Sequence, residues 1–197
     1  YMKINILGYA LITLMLIVML RIYKDSDTWT LKCIISNKDG NKYCVRERLK
    51  LNLAADRLAD VNIKMGKLVK VVAKKYPDKE NIKRLVKGYN PKKIYETLPT
   101  SEYTAYSENK GEKLAFCLDT EKQGGKLIDP NTLIFVALHE LSHIATESIG
   151  HTPEFWNNFK FLLQEAENIN IYSPVDYKNK PQRYCGMTIT DNPYYDV

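Results

Sequence analysis

Residues 139–156 read HELSHIATESIGHTPEFW, and this stretch decides both the expected fold and the expected chemistry. His139 and His143 are four residues apart, so a helix would place them on one face, where two imidazoles can converge on one tetrahedral Zn²⁺. Glu140 would point about 100° away around the helix axis. It therefore suits a general base acting on a water at the metal better than a further ligand.

The third ligand has to come from elsewhere in the chain, which contains three histidines in all. The remaining one, His151, follows His143 by eight residues. Gly150 is typical of a residue just after a helix, so the chain can turn there and return His151 to the metal. We predict His151 as the third ligand, with Glu147 and Glu154 as the alternatives.

The helix that carries the motif is predicted to begin at Asp129 and Pro130, an N-cap residue followed by proline at the first helical position. Residues 131–149 are apolar through their first half, which predicts a largely buried helix where unpartnered polar groups would be costly. A second helix is predicted to begin at Thr152 and Pro153. Its packing face would consist of Phe155, Phe159, Leu162, Leu163 and Ala166.

This segment resembles the active site of the zincin metallopeptidases, specifically that of the WLM and SprT-like group. In that group an HExxH helix is followed by a glycine turn, a third histidine and a Phe-Trp pair. The matching residues are His139, Glu140, His143, Gly150, His151, Phe155 and Trp156. A longer stretch, from residues 96–99 to residues 185–188, is similar to the membrane-anchored WLM-like metallopeptidases of nucleocytoplasmic large DNA viruses. The chain lacks the zinc-ribbon cysteines and basic tail of the SprT-like repair proteases, which argues against repair of DNA–protein crosslinks.

The resemblance implies a membrane-anchored zinc metalloendopeptidase that hydrolyses peptide bonds, with Zn²⁺ held by His139, His143 and His151. Glu140 would act as the general base and then pass the proton to the leaving amine. A strand at residues 113–118 would hold the peptide or protein substrate by β-augmentation. The candidates for an oxyanion donor are Tyr172, Tyr177, Tyr184, Tyr194 and Tyr195. The candidates for a carboxylate behind the ligand histidines are Glu147, Asp176 and Asp191.

The predicted fold class is α+β, a zincin-like minimal metallopeptidase domain over residues 45–197. It would combine the active-site helix, a small antiparallel sheet and a long amphipathic helix. The long helix is expected over residues 45–75, because apolar residues recur there every three or four positions. A shorter helix is expected over residues 81–87, and a hairpin from strands at 102–107 and 113–118.

An uncharged, strongly apolar stretch near the amino end predicts one transmembrane helix over residues 4–23, in contact with a lipid membrane. A polar connector is expected over residues 24–44. Arg21, Lys24 and Lys32 follow the apolar stretch, which favours the cytoplasmic side for the body. The four cysteines show no CxxC spacing and fit either two disulfides or free thiols.

The net charge of +6 is unevenly distributed along the chain. Residues 46–95 carry fifteen basic and five acidic side chains, whereas residues 96–197 carry eight and fifteen. We interpret the basic block as the solvated outer face of a helix, with anionic lipid headgroups as the alternative partner. Nucleic acid is disfavoured as a partner, because no aromatic side chains alternate with the basic ones.

A second class of function also fits the sequence. The chain could be a structural or minor capsid protein of a large DNA virus that retains a zincin fold, bridges an internal virion membrane and the capsid, and contacts other virion proteins. The intact HExxH motif argues for the enzyme, because a purely structural zinc site has no need of Glu140.

Overall fold

Five α-helices and nine short strands make up the described part of the chain, which is residues 6–25 and 31–196 of the computed structural model. The helices are α1 (Ile6–Asp25), α2 (Leu51–Lys75), α3 (Glu80–Gly88), α4 (Pro130–Ala145) and α5 (Pro153–Asn168). The strands are β1 (Leu31–Ile35), β2 (Lys42–Arg46), β3 (Ile94–Glu96), β4 (Ala105–Glu108), β5 (Lys113–Phe116), β6 (Asp119–Glu121), β7 (Gly124–Leu127), β8 (Gln182–Tyr184) and β9 (Met187–Ile189). The protein is therefore mixed α+β, as predicted.

The principal sheet has five strands in the order β1-β2-β3-β5-β4. It is mixed rather than antiparallel, which corrects the prediction. The pairs β1–β2 and β4–β5 are antiparallel, whereas β2–β3 and β3–β5 are parallel. The physical reason is the connection between β2 and β3, which runs through α2 and α3 and returns the chain to the end of the sheet where it started.

The position of β5 in this sheet corrects a second prediction. Residues 113–118, expected to offer a free edge to a peptide, contain β5, and β5 is paired on one side with β3 and on the other with β4. The free edge on that side of the sheet belongs to β4. A peptide can add to the sheet only where main-chain groups are unpaired, which excludes β5 from the predicted role.

The predicted connector over residues 24–44 contains secondary structure. It includes β1 and most of β2, which pair in register from Leu31 opposite Arg46 to Ile35 opposite Lys42. Residues 26–30 lie outside the described part. Helix α2 accordingly starts at Leu51, six residues later than predicted, because residues 42–46 belong to the sheet.

The apolar faces of the helices form the core as the periodicity predicts. Helix α4 packs against α2, α3 and α5 and against strands β4 and β5. The buried apolar residues of α2 are Ala54, Ala55, Leu58, Ala59, Val61, Met65, Leu68, Val69 and Val72. On α5 the five residues predicted for its packing face are all buried.

Helix α1 forms in the region predicted to span a membrane, over Ile6–Asp25. Residues 4 and 5 of the predicted span lie outside the described part. Among the helices of the described residues, none combines the length and the apolar character that crossing a membrane requires.

All four cysteines are paired in disulfides. Cys33 and Cys44 face each other across β1 and β2, and this bond lies at the protein surface, with Cys33 exposed. Cys117 follows β5 and is bonded to Cys185 in the β8–β9 turn. Both of these cysteines are buried, so the second disulfide fixes the carboxy-terminal hairpin to the end of β5.

Candidate metal centre

Helix α4 begins as the sequence predicts. The Asp129 carboxylate accepts hydrogen bonds from the backbone N–H groups of Asn131 and Thr132, at 3.2 and 2.7 Å, and Pro130 occupies the first turn. This cap satisfies two of the N–H groups that a helix start leaves without intrahelical partners. The cap therefore fixes the residue at which α4 starts. It also fixes the direction in which the helix presents His139 and His143, which lie on the same side.

The end of α4 differs from the prediction. The helix stops at Ala145, and Gly150 lies in a loop with φ of +84° rather than at the helix terminus. Lys110, in the β4–β5 turn, explains the early stop. Its ammonium donates to the carbonyl oxygens of His143, Thr146 and Ser148 at 3.2, 2.7 and 3.0 Å. These interactions satisfy carbonyl groups at the helix end and place a positive charge there, which the helix dipole favours.

The loop between α4 and α5 is held by Glu154, one of the two alternatives for the third metal ligand. Its carboxylate accepts from the backbone N–H groups of Glu147 and Ser148 at 3.0 and 3.2 Å and from the Ser148 hydroxyl at 2.9 Å. Arg84 of α3 donates to the same carboxylate at 3.0 Å. Glu154 is thus used to shape the loop that carries His151.

The structure brings the three histidines together. The Nε2 atom of His139 lies 3.2 Å from Nε2 of His143 and 3.1 Å from Nε2 of His151, and the three ligand atoms all lie within 4.8 Å of one another. Nitrogens that bind one tetrahedral Zn²⁺ at about 2.0–2.1 Å are themselves about 3.3 Å apart. A single Nε2 also cannot form two hydrogen bonds with these neighbours, because it offers either one proton or one lone pair. The arrangement therefore fits a shared metal ion.

The surroundings favour the neutral form of His139 and His143 at neutral pH. Burial, and then the neighbouring His143 and His151, lowers the pKa of His139 to about 3. Burial, followed by His151 and Lys110, lowers the pKa of His143 to about 4. Neutral imidazoles present the lone pairs that a metal ion needs.

Aromatic rings of α5 pack against the histidine cluster. The Phe155 ring centroid lies 4.8, 4.4 and 4.7 Å from the imidazole centroids of His139, His143 and His151. Trp156 lies beside His151, with 5.5 Å between ring centroids. The first turn of α5 therefore packs against all three ligands, and its start is fixed by the Thr152 hydroxyl, which accepts from the Phe155 N–H at 3.4 Å.

Glu140 is on the same helix but on its sheet side. Its side chain is buried, and burial raises the pKa of its carboxyl to about 8, opposed by a hydrogen bond from the backbone N–H of Ser107 in β4. A carboxyl whose pKa lies near neutrality is suited to taking up and giving back a proton. Tyr184 is also buried nearby, and burial, followed by the charge of Glu140, raises the pKa of its phenol.

The other predicted site residues serve other contacts. Tyr184 donates to the Thr104 carbonyl at 3.2 Å and accepts from the Cys117 N–H. Tyr194 bonds Glu167, Tyr172 bonds Asn192, Tyr177 packs on Phe135, and Tyr195 packs on Tyr194. Of the predicted supporting carboxylates, Glu147 pairs with Arg84, Asp176 with Asn179, and Asp191 with Lys178. Among the described contacts, none joins any of these eight residues to the histidine cluster.

Lys110, Arg84 and Ser107 were not predicted, although all three shape the site. Each lies on a different element from the histidines, and each acts through a main-chain group or a carboxylate of the α4–α5 region. The spacing of the motif does not predict these residues. A side chain that binds a main-chain group requires no particular residue type at its partner's position.

Comparison with known proteins gives viral relatives. The chain is 37% identical over 99 residues to an uncharacterised protein of Acanthamoeba polyphaga mimivirus, an alignment that covers 50% of each chain. It is 35% identical over 77 residues to an uncharacterised protein of Invertebrate iridescent virus 6, covering 38% of this chain and 41% of the relative. The alignments thus span half or less of the relatives' length. These relatives agree with the viral resemblance described above.

No protein-family model matches the chain. Among solved structures, Wss1 from Saccharomyces cerevisiae is similar with a TM-score of 0.39 and 18% sequence identity. That similarity covers 60% of this chain and 77% of Wss1.

Proposed function

We propose that this protein is a zinc-dependent metallopeptidase, with Zn²⁺ held by His139, His143 and His151 and with Glu140 as the general base. The observation that carries the proposal is the convergence of three imidazole nitrogens at metal-ligand spacing, together with a buried carboxyl on the helix that carries His139 and His143. A structural zinc site is usually closed by four protein ligands, whereas three leave a position open for chemistry.

Different residues of this chain would have different roles in the reaction. Bound zinc would supply Lewis acidity, which lowers the pKa of a water and polarises a peptide carbonyl. Glu140 would accept the proton of the attacking water and return it to the leaving amine, so its carboxyl ends the cycle as it began. Phe155 and the capped start of α5 would keep the imidazoles oriented between turnovers.

The free edge of β4 would hold the substrate backbone. Thr104 accepts a hydrogen bond from the N–H of Cys117 on the β5 side. Main-chain groups alternate between the two sides of a strand, so those of Ala105 and Ser107 are directed away from β5. The Ser107 N–H does reach Glu140 on that side. Because Glu140 takes the Ser107 N–H, a peptide would pair with the Ala105 end of β4 and run alongside the general base.

The test is a comparison of Glu140→Gln with Glu147→Gln in the full, zinc-loaded chain. Glu147 is close in sequence but has an exposed side chain that pairs with Arg84. We expect Glu140→Gln to bind one zinc and to lose peptide cleavage by a factor of about 10² or more. Glu147→Gln should retain both, which would also exclude Glu147 as a metal ligand. Unchanged cleavage in Glu140→Gln, or full zinc binding after His151→Ala, would contradict the proposal.

A further inference from the structure

The loop that carries His151 has little apolar packing to hold it in place. Residue 147 and residues 149–151 are all exposed. A backbone segment that buries little apolar surface keeps one conformation only where polar contacts hold it. Because Nε2 of His151 lies 3.1 Å from Nε2 of His139, the position of the third ligand depends on those contacts.

Lys110 binds the main chain between the second and the third ligand. An ammonium group has three donors, and that of Lys110 reaches the carbonyl oxygens of His143, Thr146 and Ser148. The first of these carbonyls belongs to a ligand residue of α4, and the last lies three residues before His151. Hydrogen bonds from a charged donor are roughly twice as strong as those between neutral groups. One side chain thus joins the end of the helix to the loop.

The backbone of Lys110 is in the left-handed region, with φ of +55°, and that of Asn109 is there too, with φ of +46°. Residues other than glycine adopt this region at a cost in free energy and remain in it where the surroundings require it. The turn is closed by the Gly111 N–H, which donates to the Glu108 carbonyl at 3.0 Å. Glycine would adopt the backbone of residue 110 more easily, but it has no ammonium group to offer. The contacts of the side chain therefore account for a lysine at this position.

Arg84 supports the same region in a different way. Its Nε donates to the Ala145 carbonyl at 2.9 Å, at the end of α4. It reaches the loop through the carboxylates of Glu147 and Glu154, whose side chains are 80% and 38% exposed. Ion pairs at such exposed positions contribute little. Lys110, in contrast, binds the main chain of the loop directly.

Resting on the zinc site of the proposed function, we infer that Lys110 is a positioning residue for the third metal ligand. It holds the loop so that His151 stays beside His139 before an ion binds. A site that is already ordered loses less conformational entropy on binding, so Lys110 raises the affinity for the metal. Removing a group that orients a metal ligand typically lowers metal affinity by about 10- to 100-fold. The same range is expected for Lys110, although it acts through the main chain.

The test is a double-mutant cycle on zinc affinity in the full chain. Zinc binding is measured by competition with a chromophoric chelator for the wild type, Lys110→Met, His151→Ala and the double variant, all of which keep His139 and His143. We expect Lys110→Met to weaken zinc binding by about tenfold or more. In the His151→Ala background the same change should have little effect, because no third imidazole is left to position. A lysine that only stabilised the fold would weaken zinc binding equally in both backgrounds.

Co²⁺ in place of zinc provides a spectroscopic readout of the ligand set. The strong visible absorption of a tetrahedral Co²⁺ site should weaken in Lys110→Met, because water replaces His151 and the coordination number rises. Lys110→Gln is the second variant, since its amide keeps donors for the carbonyl groups. It should lose less affinity than Lys110→Met, and it supplies the same cycle if Lys110→Met does not fold.

Lys87→Met is the matched control. Lys87 lines the same surface cleft as Lys110, but its side chain is exposed and none of the described hydrogen bonds joins it to the loop. This variant should keep the wild-type zinc affinity and Co²⁺ spectrum. Unchanged zinc affinity in Lys110→Met, or an equal loss in both backgrounds, would overturn the inference even if peptides are cleaved. The expected cycle in a chain that cleaves no peptide would support the inference and contradict the proposed activity, and a wild type that binds no zinc would overturn both.

Discussion

Glu140 combines two properties that oppose each other in a folded protein, namely burial and an ionisable side chain. Only 4% of the residue is exposed, and the pKa of its carboxyl rises from 4.5 to about 8. Retaining a group that the core disfavours is typical of a functional site.

This burial predicts a pH-dependent stability difference between the wild type and Glu140→Gln in the metal-free protein. Below pH 4.5 the carboxyl is protonated in both the folded and the unfolded chain, so its ionisation has no effect. Between pH 4.5 and about 8 only the unfolded chain loses the proton, so the wild type is progressively destabilised, by about 5 kcal/mol once pH 8 is passed. Glutamine does not titrate, so the stability of Glu140→Gln relative to the wild type should rise over this window.

Urea unfolding with a chelator at pH 5, 6.5 and 8 would measure this difference. The histidines titrate in both proteins, and their contribution cancels in the comparison. Glu147→Gln, which changes an exposed carboxylate on the same segment of chain, is the matched control. A difference for Glu140→Gln that does not change with pH would contradict the interpretation that its carboxyl is buried.

At the scale of elements, the contact between α3 and the β4–β5 turn brings Lys110 to the end of α4. Gly88 ends α3, and a Cβ there would come within hard-contact distance of the Lys110 carbonyl oxygen and 2.5 Å from Cγ2 of Ile144. Gly111 meets Gly88 from the other side, and its φ of +106° is a conformation that glycine adopts readily. Two glycines thus allow the turn to approach the active-site helix.

Gly88→Ala should therefore destabilise the fold by about 2–4 kcal/mol, because the backbone of Lys110 or the side chain of Ile144 must move. Gly66→Ala is the matched control. Gly66 lies inside α2, and an added Cβ would come no closer than 3.8 Å to its nearest neighbour, the Tyr89 hydroxyl. That variant should be neutral or more stable by up to about 1 kcal/mol, because alanine favours the helix.

Denaturant midpoints of the two variants provide the measurement. Zinc affinity gives a second readout, because displacing Lys110 removes the hydrogen bonds that hold the α4–α5 loop. Equal stability of Gly88→Ala and Gly66→Ala would show that the close approach does not exist in solution.

At the scale of the whole molecule, a buried ion-pair network joins three strands outside the site. Glu96 of β3 accepts from the backbone N–H of Arg46 at 2.6 Å and pairs with Arg48, which also binds Asp119 of β6 at 3.0 Å. Burial raises the pKa of Glu96, and the adjacent Arg48 and Arg46 oppose the rise. Such a network is favourable only while every member is present.

The two disulfides predict different responses to a reductant under native conditions. Exchange requires that a thiolate reach a sulfur atom. Cys33 is exposed, whereas Cys117 and Cys185 are 0% and 3% exposed. We expect Cys33–Cys44 to be reduced at millimolar dithiothreitol while Cys117–Cys185 persists until the chain unfolds.

Alkylation followed by peptide mass spectrometry would identify the bond that opens. Simultaneous reduction of both disulfides in folded protein would contradict the prediction. Two disulfides are typical of proteins that mature in an oxidising compartment. The cytoplasmic location expected from the charges around α1 stays a prediction, and the same alkylation on protein from its native source would test it.

The sequence by itself determined helix α4 with its Asp129 cap, the start of α5 at Thr152 and the packing face of α5. These features depend on residues within one or two turns of one another, so spacing and capping suffice to predict them. The two zinc-motif histidines and Glu140 belong to the same local pattern.

Only the tertiary structure decided the mixed sheet, the free edge at β4 and the pairing of the cysteines. Each of these joins residues that are distant in sequence or separated by an irregular loop, where many pairings satisfy the same local pattern. The early end of α4 shows the reason most clearly. Its last carbonyl groups are satisfied by Lys110, a residue 33 positions from His143, and no local signal marks that contact.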